Sequence, residues 1–100
     1  MLFREALGEV LREQRTAKKH TLRQLSQTGF IALGYLSEVE RGQKEASSEV
    51  IENLALALGL STADLVMKAS MRLAGLSVPD TAEDLLKRVD EYADLISQRQ

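Results

Sequence analysis

The segment TLRQLSQTGFIALGYLSEVERG, residues 21–42, decides the fold of this chain. Thr21 begins a T-x-x-Q pattern, in which the side chains of Thr21 and Gln24 each bond to a free backbone amide of the other residue. This pattern predicts the start of a helix of about seven residues, with Leu25 turned inward. Gly29 lies where that helix should end, because glycine adopts the left-handed backbone of such an end most easily.

A second helix is predicted directly after the turn. Ile31 is expected to fill the corner between the two helices. Leu36 and Val39 lie three residues apart, so both fall on one face. Gly42 should end this helix after about ten residues. A short helix, a tight turn and a longer helix have the order and size of a helix pair that reads DNA.

These residues resemble the phage-repressor type (Cro/CI, or XRE) of helix-turn-helix protein over residues 7–65. The resemblance implies an all-α fold, in which five helices form a lambda-repressor-like DNA-binding domain. A narrower resemblance, carried by LGYLSEVERGQKEASSEV at residues 33–50, is to the actinobacterial regulators of Clp protease genes. The positions that match the wider family are Leu11, Arg12, Arg15, Thr21, Leu25, Ile31, Tyr35, Leu36, Ser37, Val39, Glu40, Arg41 and Gly42.

Three positions depart from the family pattern. Leu22 replaces a glutamine at the head of the first helix, and Ala32 replaces a capping serine. Phe30 stands where the turn glycine is usual, and Gly29 precedes that position by one residue. The departures concern the geometry of the turn and one phosphate contact, and they leave the expected fold unchanged.

The composition suits a small helical protein. One hundred residues allow one compact domain with an added helix. A hydrophobic fraction of 44% with two Tyr, two Phe and no Trp predicts an aliphatic core. There is no cysteine, which excludes disulfides and thiolate metal sites. The charged amino-terminal residues do not form a signal peptide, and no apolar run is long enough to span a bilayer, so we expect a cytoplasmic protein without membrane contact.

The net charge of −2 hides an uneven distribution. Residues 1–44 contain eight Lys or Arg and five Asp or Glu, a balance of +3. Residues 45–100 contain five and ten, a balance of −5. This distribution favours a basic face turned toward phosphate and an acidic face turned away from it. The acidic half either contacts RNA polymerase or is simply solvated, and solvation is favoured.

Three more helices are predicted from apolar residues at three-and-four spacing. They run over about residues 3–18 and 48–58 and from about residue 62, and they complete a DNA-binding domain at residues 1–74. Their predicted inward residues are Phe3, Leu7, Val10, Leu11, Gln14, Val50, Ile51, Leu54, Ala55, Leu58, Leu65, Val66, Ala69 and Leu73.

Residues 75–100 are expected to form a linker and a dimerisation helix. An apolar stripe follows an amphipathic helix over residues 81–97. Because the first five helices already complete a domain, this helix is the natural element of a two-fold dimer, and packing back on the same domain is the alternative. The predicted dimerisation residues are Leu85, Leu86, Val89, Tyr92, Ala93 and Ile96.

The chain lacks the residue pattern of an enzyme or a metal site. His20 is the only histidine and lies at a helix boundary, so no His/Cys ligand cluster or His-based nucleophile pair can form. Glu9 and Glu13 lie four apart on a helix surface among arginines, which is typical of a solvated face rather than an acid/base pair. There is no G-x-x-x-x-G-K-[ST] phosphate loop. We predict no catalysis, cofactor, metal or small-molecule effector.

The second helix of the pair should enter the major groove of double-stranded DNA. Its outward residues are Leu33, Gly34, Ser37 and Glu38, which occupy the base-reading positions of the family. Ser37 can bond to a base edge, Glu38 can accept from a cytosine amino group, and Leu33 can meet a thymine methyl. Gly34 costs helix propensity, so we expect it to allow close approach to DNA. A glycine tolerated because packing supports the helix is the alternative.

Phosphate contacts are predicted from the amino end of the first helix of the pair and from the residues around the end of the second. For Arg41, an ion pair inside the domain is the alternative. The predicted phosphate-contacting residues are Arg15, Thr21, Arg23, Gln24, Tyr35, Arg41, Gln43 and Lys44, with Arg12, Lys18 and Lys19 nearby.

These features predict a sequence-specific transcriptional regulator that binds a near-palindromic operator as a homodimer, with half-sites about 34 Å apart. The narrower resemblance implies activation of Clp protease and chaperone genes, whereas the residues themselves predict regulation and not its sign. The main alternative is a protein-interaction module, an antitoxin or adaptor on the same fold. The apolar Leu33 and Phe30 around the reading helix favour that alternative.

Overall fold

The computed structural model describes residues 1–76 and 82–99, apart from the side chains of residues 82–86, 88, 92 and 99. The secondary structure of these residues is entirely helical, which confirms the predicted all-α class. The helices are α1 (Phe3–Ala17), α2 (Leu22–Thr28), α3 (Leu33–Glu40), α4 (Ser48–Ala57), α5 (Thr62–Leu73) and α6 (Ala82–Arg99).

The core is aliphatic, as predicted, and is built by α1–α5. The closest packing joins α1 to α5 and α3, α2 to α3 and α4, and α4 to α5. Phe3, Tyr35, Val50 and Ile51 are partly buried around this core. The buried core residues are Leu7, Val10, Leu11, Leu25, Ile31, Leu36, Val39, Leu54, Ala55, Leu58, Leu65 and Ala69.

Helix ends follow the predicted caps with small shifts. The Ser47 hydroxyl accepts a hydrogen bond from the Val50 amide at 3.2 Å and caps α4. Helix α3 has eight residues rather than about ten, because Arg41 is already its cap and Gly42 turns the chain with a φ of +74°. Helix α1 ends one residue before the predicted Lys18, since Lys19 has a φ of +59°.

The turn between α2 and α3 differs from the prediction at Gly29. Gly29 has a φ of −87°, whereas Phe30 has a φ of +55°, so the expected left-handed glycine is wrong. Gly29 still donates to the Leu25 carbonyl at 2.9 Å, as a helical residue does, and the reversal therefore falls on the next residue. The Ser26 hydroxyl donates to the carbonyl oxygen of Ile31 and closes the turn.

Gly8 lets α1 approach the carboxyl end of α3 closely. A Cβ added at Gly8 would lie 2.5 Å from the carbonyl oxygen of Glu40 and 2.8 Å from that of Val39. Both neighbours are backbone atoms, so any larger residue would have to displace one helix from the other. The position of α3 on the domain therefore depends on this glycine.

In the last turn of α5, the residue that faces the core differs from the prediction. Leu65 and Ala69 are buried as expected, but Leu73 is 41% exposed and Met71 is buried instead. Arg72, between Met71 and Leu73, bonds to Glu13 of α1.

Glu9 and Glu13 lie on an exposed face, as expected, and they also pair with Arg72 of α5. Arg72 Nη2 lies 2.7 Å from a Glu13 carboxylate oxygen, and Arg72 Nη1 lies 3.4 Å from one of Glu9. The hydrogen bond to Glu13 raises the pKa of Arg72 above its ordinary value, against a smaller lowering by burial. Both carboxylates remain about half exposed, so these pairs contribute little to stability.

Within the described residues, no single helix is long and apolar enough to cross a bilayer. Only α4 and α5 taken together have the length and composition for it, and these two helices are bent by 102°.

Candidate nucleic-acid interface

Helix α3 buries one face and leaves the other open. Leu36 and Val39 are fully buried in the core. Leu33, Ser37 and Glu38 are partly exposed and Gly34 is exposed, so none of the four predicted base-reading residues is enclosed by the domain. The outward face of α3 is therefore available to a ligand.

Gly34 is not required by the packing of the domain. Among the described residues, no heavy atom outside the backbone of α3 itself lies within 4 Å of a Cβ added at Gly34, in contrast to the backbone atoms that crowd Gly8. The alternative, a glycine tolerated because packing supports the helix, stays open, since Leu36 and Val39 of the same helix are buried in the core. Because glycine has no side chain, the exposed face of α3 carries only backbone atoms at Gly34.

The predicted capping box at the start of α2 is formed. The Thr21 hydroxyl accepts from the Gln24 amide at 3.0 Å, and the Gln24 side-chain oxygen accepts from the Thr21 amide at 2.8 Å. These bonds use only acceptor atoms of the two side chains. The Thr21 hydroxyl hydrogen and the Gln24 side-chain NH₂ therefore stay available to an anion. Arg23 beside them is exposed.

Arg15, a predicted phosphate contact, is occupied inside the domain. Its guanidinium donates to both carboxylate oxygens of Glu40, at 2.7 and 2.9 Å, and to the His20 carbonyl at 3.0 Å. The hydrogen bond to Glu40 raises the pKa of Arg15, against a smaller lowering by burial. The sequence prediction missed this partner, because Arg15 and Glu40 lie 25 residues apart in the chain.

Arg41 and Lys44 follow α3 and are both exposed. Arg41 Nε donates to the Ser37 carbonyl at 3.3 Å, which leaves most of its guanidinium hydrogens free of that bond. Lys44 Nζ lies 3.9 Å from a Glu38 carboxylate oxygen, a long ion pair between two exposed groups. Gln43 is also exposed.

Tyr35 uses its hydroxyl inside the domain. The hydroxyl donates to the carbonyl oxygen of Glu45, and the ring packs partly buried against the core. A direct phosphate contact by Tyr35, as predicted, would need the same hydrogen.

Phe30 is the most exposed large hydrophobic residue of those described, at 91%. It precedes α3 and combines this exposure with the left-handed backbone described above. Only its place in the family pattern pointed to the unusual backbone, and no sequence feature indicated the exposure.

The structure describes the side chains of three of the six predicted dimerisation residues. Val89 is partly exposed, whereas Ala93 and Ile96 are exposed on α6, and Leu95 beside them is exposed too. The side chains of Leu85, Leu86 and Tyr92 lie outside the described residues.

Comparison with known families gives a direct match. A helix-turn-helix family model matches residues 11–65, which include α2 and α3 completely. The chain belongs to the helix-turn-helix family. This family membership confirms the predicted fold type and the predicted helix pair.

Two transcriptional regulators of Mycobacterium tuberculosis are similar to this chain. The transcriptional regulator ClgR is 44% identical over 73 residues, which cover 73% of this chain and 65% of that protein. An uncharacterized helix-turn-helix transcriptional regulator is 34% identical over 64 residues, which cover 64% of this chain and 46% of that protein. The chain thus spans less than two thirds of the length of either relative.

Solved structures show the same arrangement. The crystal structure of the clp gene regulator ClgR from Corynebacterium glutamicum has a TM-score of 0.68 and 44% identity, and the match covers 93% of this chain and 95% of that one. The restriction-modification controller protein C.AhdI from Aeromonas hydrophila has a TM-score of 0.60 and 35% identity, over 62% of this chain and 94% of that one. These relatives are regulators and not enzymes, in agreement with the prediction.

Proposed function

We propose that this protein is a sequence-specific DNA-binding transcriptional regulator. The observation that carries the proposal is the division of α3, which buries Leu36 and Val39 and leaves the opposite face open. Exposed hydrogen-bond donors precede this helix in α2 and follow it after Arg41. A helix with one open face between phosphate-binding groups suits the major groove, which is wide enough to admit a helix.

Base reading is assigned to Leu33, Gly34, Ser37 and Glu38. Glu38 would accept from the amino group of a cytosine, and Leu33 would contact a thymine methyl. Ser37 would bond to a base edge, and Gly34 would let the backbone approach the groove. Because this set contains no arginine or glutamine, no bidentate contact to guanine or adenine is expected from it.

Phosphate binding is assigned to two groups of exposed residues. Thr21, Arg23 and Gln24 at the start of α2 keep donors that their capping bonds do not use. After α3, Arg41, Gln43 and Lys44 form the second group. Arg15 is left out of the proposed set, because three of its five guanidinium hydrogens bond to Glu40 and the His20 carbonyl and its side chain is only 15% exposed.

We propose that the regulator binds a near-palindromic operator as a homodimer through α6. The exposed Leu95 and Ile96 support this, since apolar residues on an amphipathic helix gain stability when a second copy covers them. A two-fold dimer presents two α3 helices to successive major grooves, so the half-sites would lie about 34 Å apart.

The target genes are proposed from the similarity to ClgR, which is described as a clp gene regulator. We propose activation of Clp protease and chaperone genes in the cytoplasm. The acidic carboxyl half is assigned to solvent, and RNA polymerase is the partner that it would contact if that assignment is wrong.

Selection of bound duplexes from a random pool, followed by footprinting, tests the proposal. The expected result is one recurring near-palindromic sequence and a footprint on both half-sites. Affinity should fall steeply with salt. A plot of the logarithm of the binding constant against the logarithm of the salt concentration should have a slope of about −0.9 for each phosphate neutralised. Binding without sequence preference would contradict the proposal.

The alternative is a protein-interaction module, and the exposed Phe30 is the observation that favours it. An antitoxin or adaptor would co-purify with one dedicated protein partner, and Phe30→Ala would release that partner. In that case the duplex selection would yield no recurring sequence.

A further inference from the structure

The loop between α3 and α4, residues 41–47, is tied to the domain through Glu45. Its carbonyl oxygen accepts the hydrogen bond from the Tyr35 hydroxyl. Its carboxylate accepts from Arg4 of α1, at 2.8 Å. The hydrogen bond from Tyr35 thus holds the backbone of the loop to α3, whereas the exposed ion pair with Arg4 involves only the Glu45 side chain.

The two ends of the same loop are also fixed. The Gln43 amide donates to the Glu38 carbonyl at 2.9 Å, directly after the left-handed Gly42. At the other end, the Ser47 hydroxyl caps α4. Between these points Lys44 has a side chain that is 60% exposed. Lys44 is therefore an exposed cation on a backbone that is held on both sides of it.

The chemistry of the Tyr35 hydroxyl restricts what it can do. A tyrosine hydroxyl has one hydrogen to donate, and phosphate oxygens at neutral pH only accept. Since Tyr35 has only this hydrogen, it cannot donate to a phosphate without giving up the bond to Glu45. The ring itself is partly buried against the core.

We infer that Tyr35 is a positioning residue, which supports DNA binding by holding the loop so that Lys44 meets a phosphate. The inference rests on the proposed function and specifies how one of its phosphate contacts is built. Holding the loop before binding lowers the ordering cost of the contact, because the backbone and side-chain freedom is already restricted in the free protein.

A double-mutant cycle on the selected duplex tests the inference. Tyr35→Phe removes only the hydroxyl, and we expect it to weaken binding by about three- to tenfold, the usual worth of one hydrogen bond. In a Lys44→Ala background, the same substitution should change affinity by less than about twofold, because the residue that the loop presents is already gone. An equal loss in both backgrounds would mean a direct contact and would overturn the inference.

Glu45→Ala is the matched control, since it removes the carboxylate and keeps the carbonyl that Tyr35 holds. We expect it to retain affinity within about twofold of the parent, because an exposed ion pair contributes little. A measurement without DNA adds to this. Amide hydrogen exchange of residues 43–46 should accelerate in Tyr35→Phe and not in Glu45→Ala, and unchanged exchange in Tyr35→Phe would overturn the inference.

The salt dependence of binding separates this inference from the proposed function. Lys44→Ala should reduce the magnitude of the salt slope by about one, and Tyr35→Phe should shift it in the same direction. If Lys44→Ala leaves the slope unchanged while the parent still selects a duplex, the inference is wrong and the proposed function stands. If the parent selects no duplex, both are wrong.

Discussion

The guanidinium of Arg15 and the carboxylate of Glu40 join the last turn of α1 to the last residue of α3. The two hydrogen bonds between them, at 2.7 and 2.9 Å, form between side chains that are only 15% and 7% exposed. A third hydrogen bond joins Arg15 to the carbonyl oxygen of His20, which lies in the segment between α1 and α2. One arginine thus fixes α3 relative to both helices that precede it.

Arg15→Ala should destabilise the fold by about 3 kcal/mol, because it leaves the Glu40 carboxylate buried without its partner. Arg12→Ala is the matched control, since Arg12 lies on the same helix and is exposed. Its effect on stability should be within about 0.5 kcal/mol. Denaturant unfolding of both variants measures the difference, and equal stabilities would contradict the role given to the ion pair.

The contribution of Arg15 should not change with pH between about pH 7 and pH 9. The hydrogen bond to Glu40 raises the pKa of Arg15 in the folded protein. A group with a raised folded pKa stabilises fully below its unfolded pKa and loses the contribution only as pH rises through the folded value. Unfolding of the parent and Arg15→Ala at both pH values checks this, and a difference that shrinks by pH 9 would count against it.

Gly34→Ala and Gly8→Ala should change stability in opposite directions. At Gly34 a methyl group meets nothing within 4 Å, so alanine should stabilise α3 by about 0.5–1 kcal/mol. At Gly8 the methyl group would meet backbone atoms of Val39 and Glu40, and alanine should destabilise by about 1–3 kcal/mol. Thermal unfolding distinguishes the two.

The proposed role of Gly34 adds a second expectation for that variant. Although Gly34→Ala should be more stable, it should bind the operator about tenfold more weakly, because the methyl group would crowd the groove. Unchanged affinity in the stabilised variant would show that Gly34 does not approach the DNA.

Phe30→Gly should be more stable than Phe30→Ala by about 1 kcal/mol. Both variants remove the exposed ring, but only glycine adopts a φ of +55° without a steric cost. Denaturant unfolding of the two variants measures the steric cost of the left-handed backbone at residue 30, because both variants lack the ring. Alanine and glycine variants of equal stability would mean that the turn relaxes to another conformation.

Ile96→Asp should dissociate the proposed dimer. Ile96 is 42% exposed on α6, and a carboxylate there would be costly to bury against a second copy. Ser97→Asp, on the neighbouring exposed position, is the control and should remain dimeric. Sedimentation equilibrium measures both. A chain truncated after residue 76 that still sediments as a dimer would exclude α6 as the main interface.

The sequence predicted the features that depend on neighbours in the chain. The capping box of Thr21 and Gln24 spans three residues, and the buried pair Leu36 and Val39 follows helix periodicity alone. Both agree with the structure because no distant group is needed to form them.

Features that depend on distant residues were not predictable in the same way. Arg15 looked like a phosphate contact because its partner Glu40 lies in another helix. Tyr35 was also predicted as a phosphate contact. The acceptor of its hydrogen bond is the backbone carbonyl of Glu45, and any residue type supplies such a carbonyl, so no residue pattern indicated it. Gly8 gave no signal of close packing, since the crowding atoms belong to α3.

If the open face of α3 reads bases, Glu38→Gln should change the sequence that the protein selects. Duplex selection from a random pool should be carried out with the parent and with this variant. We expect one position of each half-site to change from a C·G pair toward an A·T pair, since glutamine bonds to adenine where a carboxylate accepts from cytosine. Identical selected sequences for the two proteins would contradict it.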